Sequence, residues 1–316
     1  MSLIVPGHFA GFVKPALNFR KQDSLKTKHW IAFIALGGIW SSSFLWIKIG
    51  VQEASPNVLV AFRMLFGALM STAIALYQRS EWPTDRKTLI NFAILGPTSL
   101  AIPIFFISWG EQVIDSAVAS ILNATVPLFT LILAHFWLQD DKITPQKLIG
   151  LLVGFAGILI LFSKDLLASQ HQNVIGQLAV IVAALFYAWS AVFGRKTTAH
   201  IKGMSRAALP VITATIFMWL TIPFTEKPFV LPELPITWIS FLWLGLLGSG
   251  ITSLLFYYLL HEIGPTRTTL VTYIFPVGGV LLGVIFLKET LTWQLIAGTI
   301  LIIMSLVIVN YQKKPA

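Results

Sequence analysis

Pro127 and Pro276 each interrupt an apolar stretch, and each lies four residues after a small polar residue, Asn123 and Thr272. A proline inside a helix donates no hydrogen bond, and its ring displaces the carbonyl four residues earlier. The backbone oxygens of Asn123 and Thr272 are therefore expected to come free beside two polar side chains, and the helices to kink. Ser116, Ser120, Asn123, Pro127 and Thr130 recur at helical spacing and make one polar face. Thr269, Thr272, Pro276, Gly279 and Gly283 make a second. Such faces, buried in apolar sequence, can hold a neutral or zwitterionic solute by hydrogen bonding, or can simply serve helix packing.

The other candidates are few. Arg63 is set within an apolar run, where its fork of donors suits a carboxylate or neighbouring carbonyl groups. Glu111 stands at the end of another run and is expected at the mouth of a cavity, as a proton-coupling or amine-binding carboxylate. Lys48 is near enough to a run's end to snorkel to water. Trp40, Tyr187, Tyr258 and Tyr273 bring rings with polar tips deep into apolar sequence and are expected to line a path, with Ser43 and Ser190 beside them. Tyr257 and Trp189 belong to the same group, whereas Trp30, Trp109, Trp238 and Trp293 read as interfacial residues. An aromatic, largely uncharged lining favours zwitterionic or uncharged amphiphilic solutes over strongly anionic ones. Gly150 with Gly154, and Gly279 with Gly283, read as close-packing ridges.

The elements that must position these residues follow from composition. The chain has 316 residues, 56% hydrophobic and 11% charged, against about 45–50% and about 25% in soluble domains. That excludes an ordinary soluble enzyme. The absence of cysteine excludes disulfides, iron–sulfur clusters and zinc–thiolate sites. About 20 apolar residues cross a bilayer core as a helix, and ten runs qualify: roughly 29–50, 56–78, 88–108, 115–138, 146–163, 174–194, 205–224, 235–260, 265–287 and 293–311. Stretches such as Leu148–Phe162 are apolar on every face, which argues against a barrel. The reading is an all-α polytopic membrane protein. Residues 1–28 carry their basic residues after a short apolar run and read as a tail, not a signal peptide. Basic residues crowd the tails and alternate connections, and the other side keeps only Lys164, Lys227 and Lys288. By the positive-inside rule both termini are expected in the cytoplasm, in a bacterial inner membrane. The net charge of +9 then needs no nucleic acid.

The ten runs fall into two copies. Pro127 matches Pro276 and Asp140 matches Glu289, both 149 residues apart, and Gln146 and Gly150 match Gln294 and Gly298 at a spacing of 148. More loosely, Trp40, Ser43 and Lys48 match Tyr187, Ser190 and Arg195. Five spans is an odd number, so the second copy must enter the membrane from the opposite face. Two inverted five-helix repeats place a substrate site at the midplane between them. The expected units are a tail (1–28), a first repeat (29–163), a connecting loop (164–173), a second repeat (174–311) and a short tail (312–316).

In order along the chain stand GGIWSSSFLWIKIG, AFRMLF, ASILNATVPLFTLILAHFWLQDDKIT and GLLVGFAG. Together they resemble the EamA-type ten-helix branch of the drug/metabolite transporter superfamily over nearly all of residues 29–310. The resemblance implies a central cavity between two bundles, export of amino acids or other small metabolites, and an Arg63 that corresponds to an arginine of the family. The family often carries Glu after the fourth span of each repeat. Here Glu289 fits and Asp140–Asp141 departs, in loops expected to be structural.

Other chemistries lack their motifs. There is no GxxxxGK[ST] phosphate loop, no HExxH and no channel filter. The string Leu247–Gly250 lacks the first glycine of a serine-protease nucleophile turn. The expected function is a secondary transporter that exports small neutral or zwitterionic metabolites by alternating access, with no cofactor or metal. Its expected partners are a small-molecule substrate and the lipid bilayer. Translocation of a lipid or amphiphile, and a cofactor-independent membrane enzyme, stand as alternatives. The residues assigned to the substrate are Trp40, Ser43, Arg63, Asn123, Pro127, Tyr187, Ser190, Tyr258, Thr272, Tyr273 and Pro276, with Glu111 as the coupling candidate.

Overall fold

Local signals start several of the helices. Ser55 accepts a hydrogen bond from the Val58 amide just before Pro56, Asp85 accepts one from Thr88, and Thr144 accepts one from Lys147 just before Pro145. The computed structural model describes residues 26–138, 142–201, 203–263, 268 and 270–310. Within them it is all-helical, with ten helices long and apolar enough to cross a membrane. These are span 1 (Thr27–Gly50), span 2 (Pro56–Tyr77), span 3 (Arg86–Gly110), span 4 (Ser116–Trp137), span 5 (Pro145–Leu167), span 6 (His171–Thr197), span 7 (Ser205–Thr225), span 8 (Pro235–Phe256), span 9 (Leu270–Leu287) and span 10 (Trp293–Asn310). Helix continues beyond span 8 to Ile263.

Some boundaries differ from those read off hydropathy. The helix of span 1 already begins at Thr27, inside the expected tail, and residues 1–25 and 311–316 lie outside the described residues. So do Asp140, Asp141, Arg267 and Thr269, and the side chains of Tyr257 and His261. The loop expected over 164–173 shrinks to 168–170, because spans 5 and 6 extend through polar residues. Hydropathy ends where polar residues begin, but the helices do not. Buried Asp165 accepts hydrogen bonds from Gln177 at 2.5 Å and Asn173 at 3.1 Å, and these join the last turn of span 5 to the first turns of span 6.

The repeat is visible in the irregularities. Spans 3 and 8 each contain a stretch of wide π-type turns, Pro97–Ala101 and Trp243–Ile251. Spans 4 and 9 are interrupted at matching depths: span 4 breaks between Asn123 and Val126, and span 9 opens with the 3₁₀ segment Leu270–Tyr273 before continuing from Ile274. Near each proline the helix departs from α geometry for a few residues, as a turn at 124–125 and as 3₁₀ turns over Leu270–Tyr273, and then resumes.

Spans 5 and 10 pack on each other to one side. Gly150, Gly154, Gly157 and Gly298 leave room there for side chains and backbone of the opposite helix. The remaining eight spans surround a cavity. Spans 2 and 8 meet almost backbone to backbone: a Cβ added at Gly245 would come within 2.5 Å of Phe66 Cβ and 2.9 Å of the Arg63 carbonyl oxygen. Neither neighbour is a flexible side-chain tip. Gly245→Ala is accordingly expected to destabilise the protein by about 1–3 kcal/mol through overpacking, read as a lowered melting temperature in detergent. An unchanged melting temperature would mean that the two helices can separate at no cost.

The two ends of the bundle differ in charge. One end carries Arg79, Arg86, Lys87, Lys142, Lys147, Arg195, Lys196 and Arg206 against Glu81, Asp85 and Glu262. The other carries Glu53, Glu111, Asp115, Asp165, Glu226, Glu233 and Glu289 against Lys48, Lys164, Lys227 and Lys288. They are called the basic and acidic ends below.

Candidate functional site

The eight inner spans enclose a cavity of about 600 Å³. It reaches the basic end, where exposed Arg195 lines it together with Thr198, Arg206 and Pro210. Toward the acidic end it stops at Ile47, Arg63, Ile107 and Asn123, all buried. This conformation is therefore open at one end only.

The broken and widened helices supply the lining. The interruption of span 4 presents Asn123 and Pro127, the 3₁₀ start of span 9 presents Thr272, and the wide turns of span 8 present Gly248 and Ser249. Arg63 Nε donates to Ser249 Oγ at 3.3 Å, and the guanidinium has no other protein partner among the described residues. A Cβ at Gly248, itself a lining residue, would lie 3.7 Å from Arg63 Nη2, so this glycine keeps the fork uncovered. Tyr187 lies close enough to Arg63 for the two to interact electrostatically. The Oδ1 of Asn123 and the Oγ of Ser190 are buried and have no hydrogen-bond partner. The Trp40 indole donates to the Gly248 carbonyl at 3.3 Å and packs against Phe256 and Phe275 with ring centroids 5.8 Å apart. Polar groups of both kinds thus line the same cavity as an aromatic wall.

Of the residues assigned from sequence, the cavity gathers Trp40, Ser43, Arg63, Asn123, Pro127, Tyr187, Ser190 and Thr272. It does not gather Tyr258, Tyr273, Pro276 or Glu111. Tyr258 packs near the basic end, beside His29 and under the Lys28 ammonium, 5.7 Å from its ring centroid. Tyr273 is turned away, donating to the Leu306 carbonyl at 2.6 Å and accepting from Asn310 at 2.8 Å, which ties span 9 to span 10. Pro276 is buried in span 9, which packs against spans 1 and 4. Tyr273 and Pro276 have the expected depth but a different helix rotation, which depth in a sequence does not report, whereas Tyr258 lies beyond the end of span 8. Glu111 is fully buried and does not face the cavity mouth.

Lys48 does not snorkel. Its ammonium donates to the carbonyls of Glu111 at 2.5 Å and Ile114 at 2.8 Å, closing the end of span 3. Trp238 is only partly exposed and packs on Phe62 and Phe241, with its indole donating to Pro232. Sequence reading passed over Ser249, Thr252, Arg195 and Arg206 as lining residues. In the sequence Ser249 stands in the Leu247–Gly250 string, Arg206 reads as connection charge and Arg195 as connection charge and the repeat counterpart of Lys48, and no periodic signal marks the wide turns that turn Ser249 inward.

The acidic end is closed by bonds between the two repeats. Glu53, after span 1, accepts from the amides of Glu233 at 2.6 Å and Leu234 at 3.0 Å and from the Thr237 hydroxyl at 2.5 Å. Glu226, after span 7, accepts from Ser55 at 2.7 Å and Asn57 at 3.0 Å. Glu289, after span 9, accepts from the Ser116 and Ala117 amides at 2.7 and 3.0 Å and so caps span 4. At the basic end Lys28 and His29 of span 1 hold Glu262, in the helix continuing span 8, at 3.3 and 3.1 Å. Among the described residues no group of three or more His, Asp or Glu could hold a metal ion.

The EamA-like transporter family matches residues 27–163 and 174–311 as two successive copies. An "Uncharacterized inner membrane transporter YedA" of Escherichia coli (strain K12) is 30% identical over 263 residues, covering 83% of each chain. An "Uncharacterized transporter YoaV" of Bacillus subtilis (strain 168) is 26% identical over 278 residues, covering 86% of this chain and 93% of the relative. One crystal structure shares the fold, with a TM-score of 0.64 at 20% identity over 90% of this chain and 98% of the other.

Proposed function

The chain belongs to the EamA-like transporter family, and we propose that it exports small zwitterionic metabolites, amino acids first among them, by alternating access. The observation that carries this reading is the presence in one cavity of unpaired groups of both kinds. Arg63 offers unoccupied guanidinium donors, while Asn123 Oδ1 and Ser190 Oγ are buried acceptors without partners. A carboxylate on the first and an ammonium on the second would satisfy groups that otherwise stay unpaired at a cost of about 1–3 kcal/mol each. The apolar part of the solute then lies against Trp40, Phe44, Phe256 and Phe275. Among the described residues the charged residues of the lining are Arg63, Arg195 and Arg206, with no acid, which favours solutes that carry a carboxylate over purely cationic ones.

With the basic end in the cytoplasm of a bacterial inner membrane, this conformation is open to the inside. Rocking of the inverted repeats about the cavity would close the basic mouth and part the carboxylate contacts at the acidic end. The chain's residues bind and orient the solute; no bond to it is made or broken.

Counterflow of labelled amino acids into proteoliposomes tests the reading. Saturable exchange is expected for at least one neutral amino acid. Asn123→Ala should raise its KM by roughly 5- to 30-fold, the equivalent of about 1–2 kcal/mol, at unchanged melting temperature. No saturable flux for any amino acid would reject this substrate class.

A further inference from the structure

Glu111 takes no part in the site just described. It follows the last residue of span 3 at the acidic end, is 0% exposed, and neither carboxyl oxygen has a hydrogen-bond partner. The cation nearest at hand, Lys48 of span 1, directs its ammonium at backbone carbonyls, that of Glu111 itself included, and not at the carboxylate. The other charged groups acting on it are Glu289 from the connection after span 9 and Arg63 from span 2. Asp115 stands four residues on, before span 4. Span 6 brings Gly176 and Val180 against neighbouring Gly110 and contributes no charge there.

An ionised carboxylate without donors or water is far costlier to bury than the neutral acid. The conformation closed at the acidic end therefore favours protonated Glu111. Parting this end would admit water, which solvates the carboxylate, so the open conformation favours the ion. We propose that Glu111 makes the acidic-end gate responsive to the pH of the solution at that end, closure being accompanied by uptake of one proton. This rests on the alternating-access reading but not on the identity of the solute.

The sign follows from linkage. The closed form holds its proton to higher pH than the open form, so acidification favours closure, and a rise in pH favours opening, by at most about tenfold per pH unit for one proton. Glu53 does not supply the same effect. The Thr237 hydroxyl, followed by the Leu234 and Glu233 amides, holds its carboxyl below the ordinary glutamate range. Its contacts are at full strength above that range and are lost only as pH falls below it, which would open the end in strong acid. His171 is exposed at the start of span 6 and is left in place by a change at Glu111.

The chain contains no cysteine, so a single introduced thiol reports without background. Ile47→Cys, at the deep end of the cavity, would be placed in the full chain in oriented proteoliposomes. It would be exposed to a membrane-impermeant thiol reagent on the acidic-end side alone, without substrate. Its labelling rate is divided by that of Gln52→Cys, an exposed loop position, to remove the reactivity of the thiol itself. The normalised rate should rise severalfold between about pH 5.5 and 8.5. In Glu111→Gln it should be flat and remain at the acid level, while His171→Asn should keep the wild-type profile. A flat wild-type profile overturns the proposal whether or not the glutamine variant folds, and so does a Glu111→Gln profile that matches wild type. Absence of amino-acid flux alongside a Glu111-dependent profile would reject the substrate class and leave the gate standing.

Discussion

Arg63→Gln is expected to lower kcat/KM for carboxylate-bearing solutes by roughly 30- to 150-fold, with little change in folding. The residue is 6% exposed, makes one 3.3 Å bond to Ser249, and has no further partner among the described residues. A guanidinium that meets a carboxylate in such a place forms a two-pronged, charge-assisted contact, and removing one side of a buried pair of that kind costs about 2–3 kcal/mol or more. The loss should be selective. In the wild type, an amine that lacks the carboxylate of the best amino acid should compete poorly in counterflow. In Arg63→Gln the amino acid and the amine should become nearly equal. Arg63→Lys should recover only part of the activity, because a single ammonium cannot reproduce the planar fork. If the variant lost stability but kept its preference for the carboxylate, Arg63 would be a packing residue holding span 8 through Ser249.

The second large effect is expected at Glu289, a residue far from the solute. Its carboxylate accepts from the first two amides of span 4, and Asp115, which precedes that helix, makes no side-chain cap of its own. The cap of one repeat is thus supplied by the other. Helix caps are worth about 1 kcal/mol, and hydrogen bonds to a charged group about 1.5–3 kcal/mol. Glu289→Ala should therefore shift the balance toward opening at the acidic end by about 1.4–2 kcal/mol, a population change of roughly 10- to 30-fold. Ile47→Cys labelled from that side would read it directly, as a rate increase of that order. Faster labelling with the cavity otherwise intact marks Glu289 as part of the gate. Unchanged labelling with a lowered melting temperature would mark it as a support for span 4 alone.

Much of this architecture was legible without coordinates, and for a physical reason. A bilayer demands long apolar segments with every backbone group satisfied inside the helix, so ten spans, an inverted duplication and two matched prolines can be read from hydropathy and spacing alone. Depth along the membrane is likewise a property of the chain. Trp40, Ser43, Arg63, Asn123, Tyr187, Ser190 and Thr272 were placed at the cavity on that basis and line it. Rotation about the helix axis is not a property of the chain where π-type turns, 3₁₀ turns and breaks change the period. Tyr273 has the depth of a lining residue but bonds the backbone of span 10, while Ser249 enters the cavity on wide turns that no apolar pattern marks. Pairings at the ends were also decided only by packing. Hydropathy treats Lys48, Glu53, Glu111 and Glu289 alike, as polar residues where spans stop. Long-range contact sends Lys48 to carbonyls and makes Glu53 and Glu289 clamps between repeats. The same contact leaves Glu111 buried without a partner, because the space around a side chain is set by helices distant from it in the chain.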